Sequence, residues 1–149
     1  MKPILQAAEI QISYQPNSIV KPQIKSSLDA YNVLKDFYPS TRIGLQEMFI
    51  VAYLNRSSKV IGIYEVSKGG ITGTVADVRL ILATALKTAA TGIILSHNHP
   101  SGNLAASAAD INLTKKIKEA ASYFDIALTD HLIITHEHTY MSMIDEGII

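Results

Sequence analysis

The sequence contains no cysteine. Disulfides are therefore excluded, and so are thiolate metal ligands, leaving imidazole and carboxylate as the donors from which a metal site can be built; the absence also fits a reducing cytoplasm. Net charge is lacking too, since thirteen Lys and Arg balance thirteen Asp and Glu. Strong non-specific nucleic-acid binders carry a basic footprint, so this balance speaks against DNA as the main partner while leaving room for a local patch. No apolar run approaches the roughly 20 residues that span a bilayer. A lone Lys2 and a short apolar stretch before Gln6 and Glu9 do not make a signal peptide. No internal repeat and no linker rich in Pro, Gly or Ser divides the 149 residues, and 48% hydrophobic content is enough to bury a core. The expectation is one soluble, cytoplasmic domain without a membrane partner.

Elements alternate along the chain. Glu9 to Tyr14 has the period of a strand, ended by Pro16-Asn17, and Pro16 to Ser26 reads as extended but irregular because its prolines disfavour a central strand. Ser26 or Ser27 caps a predicted helix reaching about Phe37, with Leu28, Tyr31 and Leu34 inward and Pro39-Ser40 stopping it. Glu47 to Leu54 is a nearly continuous apolar strand of the kind buried on both faces, and Asn55 to Ser58 turns it into a second strand, Lys59 to Val66. Gly69, Gly70 and Gly73 make a loop before a helix from about Val75 to Ala89, with Val75, Val78, Leu82 and Leu86 inward. A buried strand at Gly92 to Ser96, a helix at Ser107 to Phe124 and short strands at Ile126 to Leu128 and Leu132 to Thr135 complete the pattern. This alternation predicts an α/β fold, a mixed sheet with helices on both faces, whose sites form where strands end.

The run Ser96-His97-Asn98-His99-Pro100-Ser101-Gly102 stands at such an end, followed by Ser107 and Asp110. Histidines two apart on extended backbone share a face, although an isolated H-x-H is also compatible with two solvated rings on a loop. Pro100 and Gly102 turn the chain back toward the next helix. Ser107 and Asp110 resemble a capping box, but Asp110 also falls on a stripe with Leu113, Ile117, Ala120 and Phe124. A carboxylate on an inward stripe is costly unless a cation meets it. Two imidazoles and one carboxylate, with a fourth position open to water, suit catalytic Zn²⁺. Such a site needs a group to take the proton of the attacking water, and Glu47, opening the most buried strand, is the candidate; its alternative is a strand-end charge reaching solvent. Glu9, Glu65 and Glu137 are weaker competitors. Ser107 would then donate to the oxyanion.

Glu47, His97-Asn98-His99, Ser107 and Asp110 reproduce the order E…H-x-H-x₇-S-x₂-D, and on these residues the chain resembles the JAMM/MPN (JAB-like) metalloproteases. The run from His97 to Gly102 with Ser107, Asp110, Thr114, Asp130-His131 and Asp145-Glu146-Gly147, preceded by Gly73-Thr74 and Arg79, is similar to the RadC branch from roughly Ser27 onward. The resemblance implies a three-layer α-β-α, cytidine-deaminase-like domain over 27–149, after an extended segment over 1–26. It further implies one Zn²⁺ per chain held by His97, His99 and Asp110, with Glu47 as general acid/base and Ser107 as oxyanion stabiliser. Longer RadC proteins resemble a fusion to an N-terminal helix-hairpin-helix module, for which the residues preceding this domain are expected to be too few. Ala106 stands where the family usually has proline. Nothing resembles the insertions with which eukaryotic relatives hold ubiquitin.

Three function classes follow. The first is a metallopeptidase cleaving a peptide or isopeptide bond in a peptide or protein substrate that lies as an extended strand along a sheet edge. The second is a DNA-repair-associated protein acting on or near DNA, and the third a non-catalytic MPN scaffold. Asp130-His131 either orients a ligand imidazole or makes a strand-end hydrogen bond that only shapes the fold. His136-Glu137-His138 reads as a surface turn, and Lys115, Lys116 and Lys118 as a solvated helix face.

Overall fold

The computed structural model describes residues 6–17, 19–69 and 76–149. Its organising strand is β1 (Met48–Leu54), buried along its whole length as its apolar run predicts. A turn at Asn55, whose side-chain carbonyl accepts from the backbone N–H groups of Ser57 and Lys59, leads into β2 (Val60–Lys68). β3 (Gly92–Asn98), β4 (Ala127–Ile134) and β5 (Tyr140–Ser142) complete a sheet of order β2-β1-β3-β4-β5. β3 and β4 run parallel and the other neighbours antiparallel, so the sheet is mixed.

Side-chain alternation divides the core in two. Phe49, Val51, Tyr53, Ile93 and Leu95 face one side, where α2 (Val78–Lys87) contributes Ile81 and Ala85, and α3 (Ala108–Ser122) contributes Ile117 and Ala121. Met48, Ile50, Ala52, Leu54, Ile94, Leu132 and Ile134 face the other, covered by Ala30, Tyr31 and Leu34 of α1 (Ser27–Leu34). The expected three-layer α-β-α arrangement is the one the chain adopts. Among the described residues no helix is long and apolar enough to cross a membrane.

Several local expectations are corrected. Glu9 to Tyr14 forms no strand: it pairs with no sheet edge, Ile10 is 86% exposed, and its tie to the domain is a hydrogen bond from the Tyr14 hydroxyl to the Ile61 carbonyl. A period of two makes a strand only where an edge receives it. The helical backbone reaches Phe37 as expected, but only to Leu34 as α-helix, its last turn over Lys35–Phe37 being 3₁₀. Its inner stripe runs through Ala30, Tyr31 and Leu34, leaving Leu28 exposed. In α2 the stripe is Val78, Ile81, Leu82 and Ala85, and Leu86 faces solvent; Val75, Gly70 and Gly73-Thr74 lie outside the described residues. In α3 the buried positions are Thr114, Ile117 and Ala121, and Phe124 is exposed just beyond the helix. The two short strands expected near the end are one, β4, running unbroken through Thr129, Asp130 and His131.

Candidate metal centre

The same alternation selects which side chains meet. His97 lies opposite Phe49 on β1 and Ile133 on β4, on the face covered by α3. Glu47 stands two residues before Phe49, which carries its side chain to that same face. His99 follows just beyond β3, its backbone N–H bonded to the Ile134 carbonyl at 3.0 Å. The next residues then reverse direction. Gly102, at φ +85°, donates its N–H back to the His99 carbonyl in a left-handed conformation that favours glycine, with the tip of the Glu137 side chain 3.3 Å from where a Cβ would stand.

The reversal ends at Ser107, which caps α3. Its Oγ accepts the Asp110 N–H and its own N–H donates to Asp110 Oδ2, both at 3.0 Å, closing the capping box. Capping and convergence on the histidines coexist. Asp110 Oδ2 lies 3.4 Å from His97 Nε2 and 3.5 Å from His99 Nε2, and the two Nε2 atoms are 3.0 Å apart. A Glu47 carboxylate oxygen joins the imidazole pair, with the three ligating atoms within 4.8 Å of one another. The structure thus brings together Glu47, His97, His99 and Asp110, with Ser107 one helical turn from Asp110 and exposed. As an acceptor from the Asp110 N–H, the Ser107 hydroxyl keeps its own O–H to donate elsewhere.

The electrostatics follow from this convergence. Burial would push the Asp110 carboxyl up, but hydrogen bonds from His97 and His99, the charge of His97 and the Ser107 N–H outweigh it and hold the group well below the ordinary carboxylate range. The bond to Asp110 raises His99 above a free imidazole, against the opposing effect of its burial. Glu47 is raised chiefly by burial, with Asp110 adding to the rise and the two histidines opposing it.

The ring nitrogens turned away from the cluster are also engaged. His99 Nδ1 lies 2.6 Å from the Asn103 carbonyl oxygen, which only accepts, so Nδ1 carries a proton. His97 Nδ1 meets His131 Nε2 at 2.8 Å, and His131 Nδ1 meets Thr114 Oγ1 at 2.6 Å. Burial, then the neighbouring His97, hold His131 well below the ordinary imidazole range. The Asp130 carboxylate reaches no ligand imidazole, so the expectation that it orients one is corrected. His131 touches the His97 ring, whereas Asp130 points to the opposite face and accepts from Ser142 Oγ and the N–H groups of His131 and Ile144.

Asn98 was visible in the sequence only as the spacer of H-x-H. Fully buried on the α1 face, it accepts the Met48 N–H at 2.7 Å and donates to the carbonyls of Ile43 and Gln46. It thereby fixes both sides of Glu47. No periodicity reveals such a clamp, because its partners lie some fifty residues away.

A three-layer α/β domain with two imidazoles and two carboxylates at the end of its central strand defines the class: a JAB-like domain with a candidate metal site. The family profile described as RadC-like JAB domain matches residues 24–148, and the chain belongs to that family. It is 45% identical over 146 residues to the UPF0758 protein of Flavobacterium johnsoniae, covering 97% of this chain and 62% of that protein. Its identity to the UPF0758 protein of Porphyromonas gingivalis is 38% over 151 residues, covering 99% of this chain and 65% of that one. For the UPF0758 protein of Clostridium perfringens the identity is 32% over 146 residues, covering 98% and 63%. The chain therefore spans somewhat less than two thirds of the relatives it matches.

Proposed function

We propose that the protein is a zinc-dependent hydrolase, a metallopeptidase acting on a peptide or isopeptide bond. The observation that carries this reading is the convergence of His97 Nε2, His99 Nε2 and Asp110 Oδ2 within 3.0–3.5 Å, with Glu47 beside them. The donor set fits the ion: two neutral nitrogens and one anionic oxygen form a three-ligand site of catalytic type. When bound, Zn²⁺ would supply Lewis acidity and lower the pKa of water at the open position to about 7.

The remaining chemistry belongs to the chain. Burial raises Glu47, which suits it to take a proton from the attacking water and return it to the leaving amine. Asp110, kept anionic by its histidine neighbours, remains a ligand. Ser107, on the rim at the start of α3, offers its O–H to the oxyanion that forms on the substrate carbonyl. In a peptide or protein substrate the leaving group that takes this proton is an amine.

The test is a peptide-library cleavage assay with zinc-loaded wild type and Glu47→Gln. Wild type is expected to cleave and to stop on chelation, while Glu47→Gln retains zinc and loses about 10²–10⁴ in rate. Undiminished turnover by Glu47→Gln would remove its assigned role, and absence of cleavage by zinc-loaded wild type across the library would overturn the peptidase reading.

A further inference from the structure

The chain holds a strand without an edge and an edge without a strand. Residues 9–14 alternate apolar and polar side chains, with Ile10, Ile12 and Tyr14 on one side, and are exposed and unpaired. Ile10 is 86% and Ile12 78% exposed, so the apolar side of this segment stands in water. The edge belongs to β2, an outer strand of the sheet. It is paired only at its start, where the Val60 N–H donates to the Pro22 carbonyl and the Ile24 N–H to that of Ser58. Among the described residues no strand lies against the outer side of Gly62 to Val66. Gly62 to Glu65 keep unbroken register with β1 between two bulges, which leaves that edge regular enough to template another strand. Beside it opens an apolar cleft of about 250 Å³, lined by Val33, Phe37, Ile61 and Ile63 among others.

We propose that residues 9–14 of one copy add as a strand to β2 of a second copy, reciprocally, joining two chains as a symmetric dimer. The occupant is a second copy because the segment's own β2 is within reach and goes unused. The Tyr14 hydroxyl donates to the Ile61 carbonyl, yet the segment does not close on the edge. A cavity of about 590 Å³ stays open there, lined by Tyr14, Pro16 and Ile19 together with Asn55, Lys59 and Ile61. Antiparallel addition also matches charge. It brings Glu9, the one charge of the segment, to the end of β2 that carries Lys68, the one cation of that strand. The cleft beside the edge offers Ile10 and Ile12 the apolar contact that they lack in a single chain. Neither element supplies a residue to the metal centre, so the association is read without zinc.

Sedimentation equilibrium of the 149-residue protein tests this over about 1 µM to 1 mM, the range in which small interfaces fill. Wild type is expected to pass from monomer to dimer across it. Ile10→Lys with Ile12→Lys is expected to weaken association about 10-fold or more, because both side chains are exposed in one chain and covered in two. The same exposure leaves the fold of the double variant intact. Amide exchange adds the location: the outward N–H groups of Gly62 to Val66 are expected to exchange more slowly as protein concentration rises. Wild type that stays monomeric throughout, or a dimer indifferent to the double substitution, would overturn the proposal. Protection of that edge at every concentration would also overturn it, since each segment would then be closing on its own β2.

Discussion

The chain contains two H-x-H triplets, and their fates differ. His97-Asn98-His99 ends the central strand β3, whereas His136-Glu137-His138 forms the exposed turn between β4 and β5, with His138 in the left-handed region at φ 59°. His97 is 1% exposed and both of its ring nitrogens have partners. Among the described residues only the first triplet belongs to a group of three side chains that could hold a metal ion, the third being Glu47. The middle residues differ as well: Asn98 is a buried clamp with three hydrogen bonds, while the Glu137 carboxylate lies against Gly102. The pattern of two histidines is therefore no guide to a site. What matters is a strand that buries one ring, a turn that brings a helix start back, and a carboxylate on the helix that faces both.

Each ingredient of that difference can be removed in turn. Ser107 caps the helix that carries Asp110 to the first triplet, and the proposed reaction gives its hydroxyl to the oxyanion. Ser107→Ala should lower peptide hydrolysis by about 10²–10³ with zinc content retained. It should also cost about 1 kcal/mol in chemical denaturation through the lost cap. A rate loss no greater than this instability explains would reduce Ser107 to a cap. Asn98→Ala should leave the buried Met48 N–H and the part-buried carbonyls of Ile43 and Gln46 without this partner, costing about 1–3 kcal/mol for each that finds no water. Because those groups bracket Glu47, turnover should fall more than zinc affinity does. An equal loss of both would mean that Asn98 supports the fold without positioning Glu47. The smallest effect is expected at the other triplet. His136→Ala with His138→Ala should leave zinc affinity unaltered and stability within about 0.5 kcal/mol per site, as for other exposed positions. Loss of zinc in that double variant would erase the contrast.

The legible parts of the molecule are those where one residue's requirement shows locally. An unbroken apolar run predicts β1, a Ser and an Asp three apart predict the capped start of α3, and Asp110, singled out as a carboxylate turned inward, is found facing the two imidazoles. The sequence also separates the two triplets correctly, because His136 to His138 has no carboxylate at a suitable spacing. What it hides is settled by distant partners. Asp130 and His131 look like an interruption in an apolar pattern, yet each finds buried partners, Ser142 for the one and His97 with Thr114 for the other, so β4 continues through them. Asn98 is invisible for the same reason. Glu9 to Tyr14 errs in the opposite sense, since its local pattern is that of a strand but no edge pairs with it. Leu28 and Leu86 show that a stripe read at spacings of three and four can include a residue that the packing leaves exposed.

The central claim is that His97, His99 and Asp110 hold one metal ion, and elemental mass spectrometry of the purified protein beside His99→Ala tests it most directly. The account predicts about one zinc per chain in wild type and its loss in the variant. No metal in wild type after zinc is supplied, or equal zinc in both proteins, would contradict it.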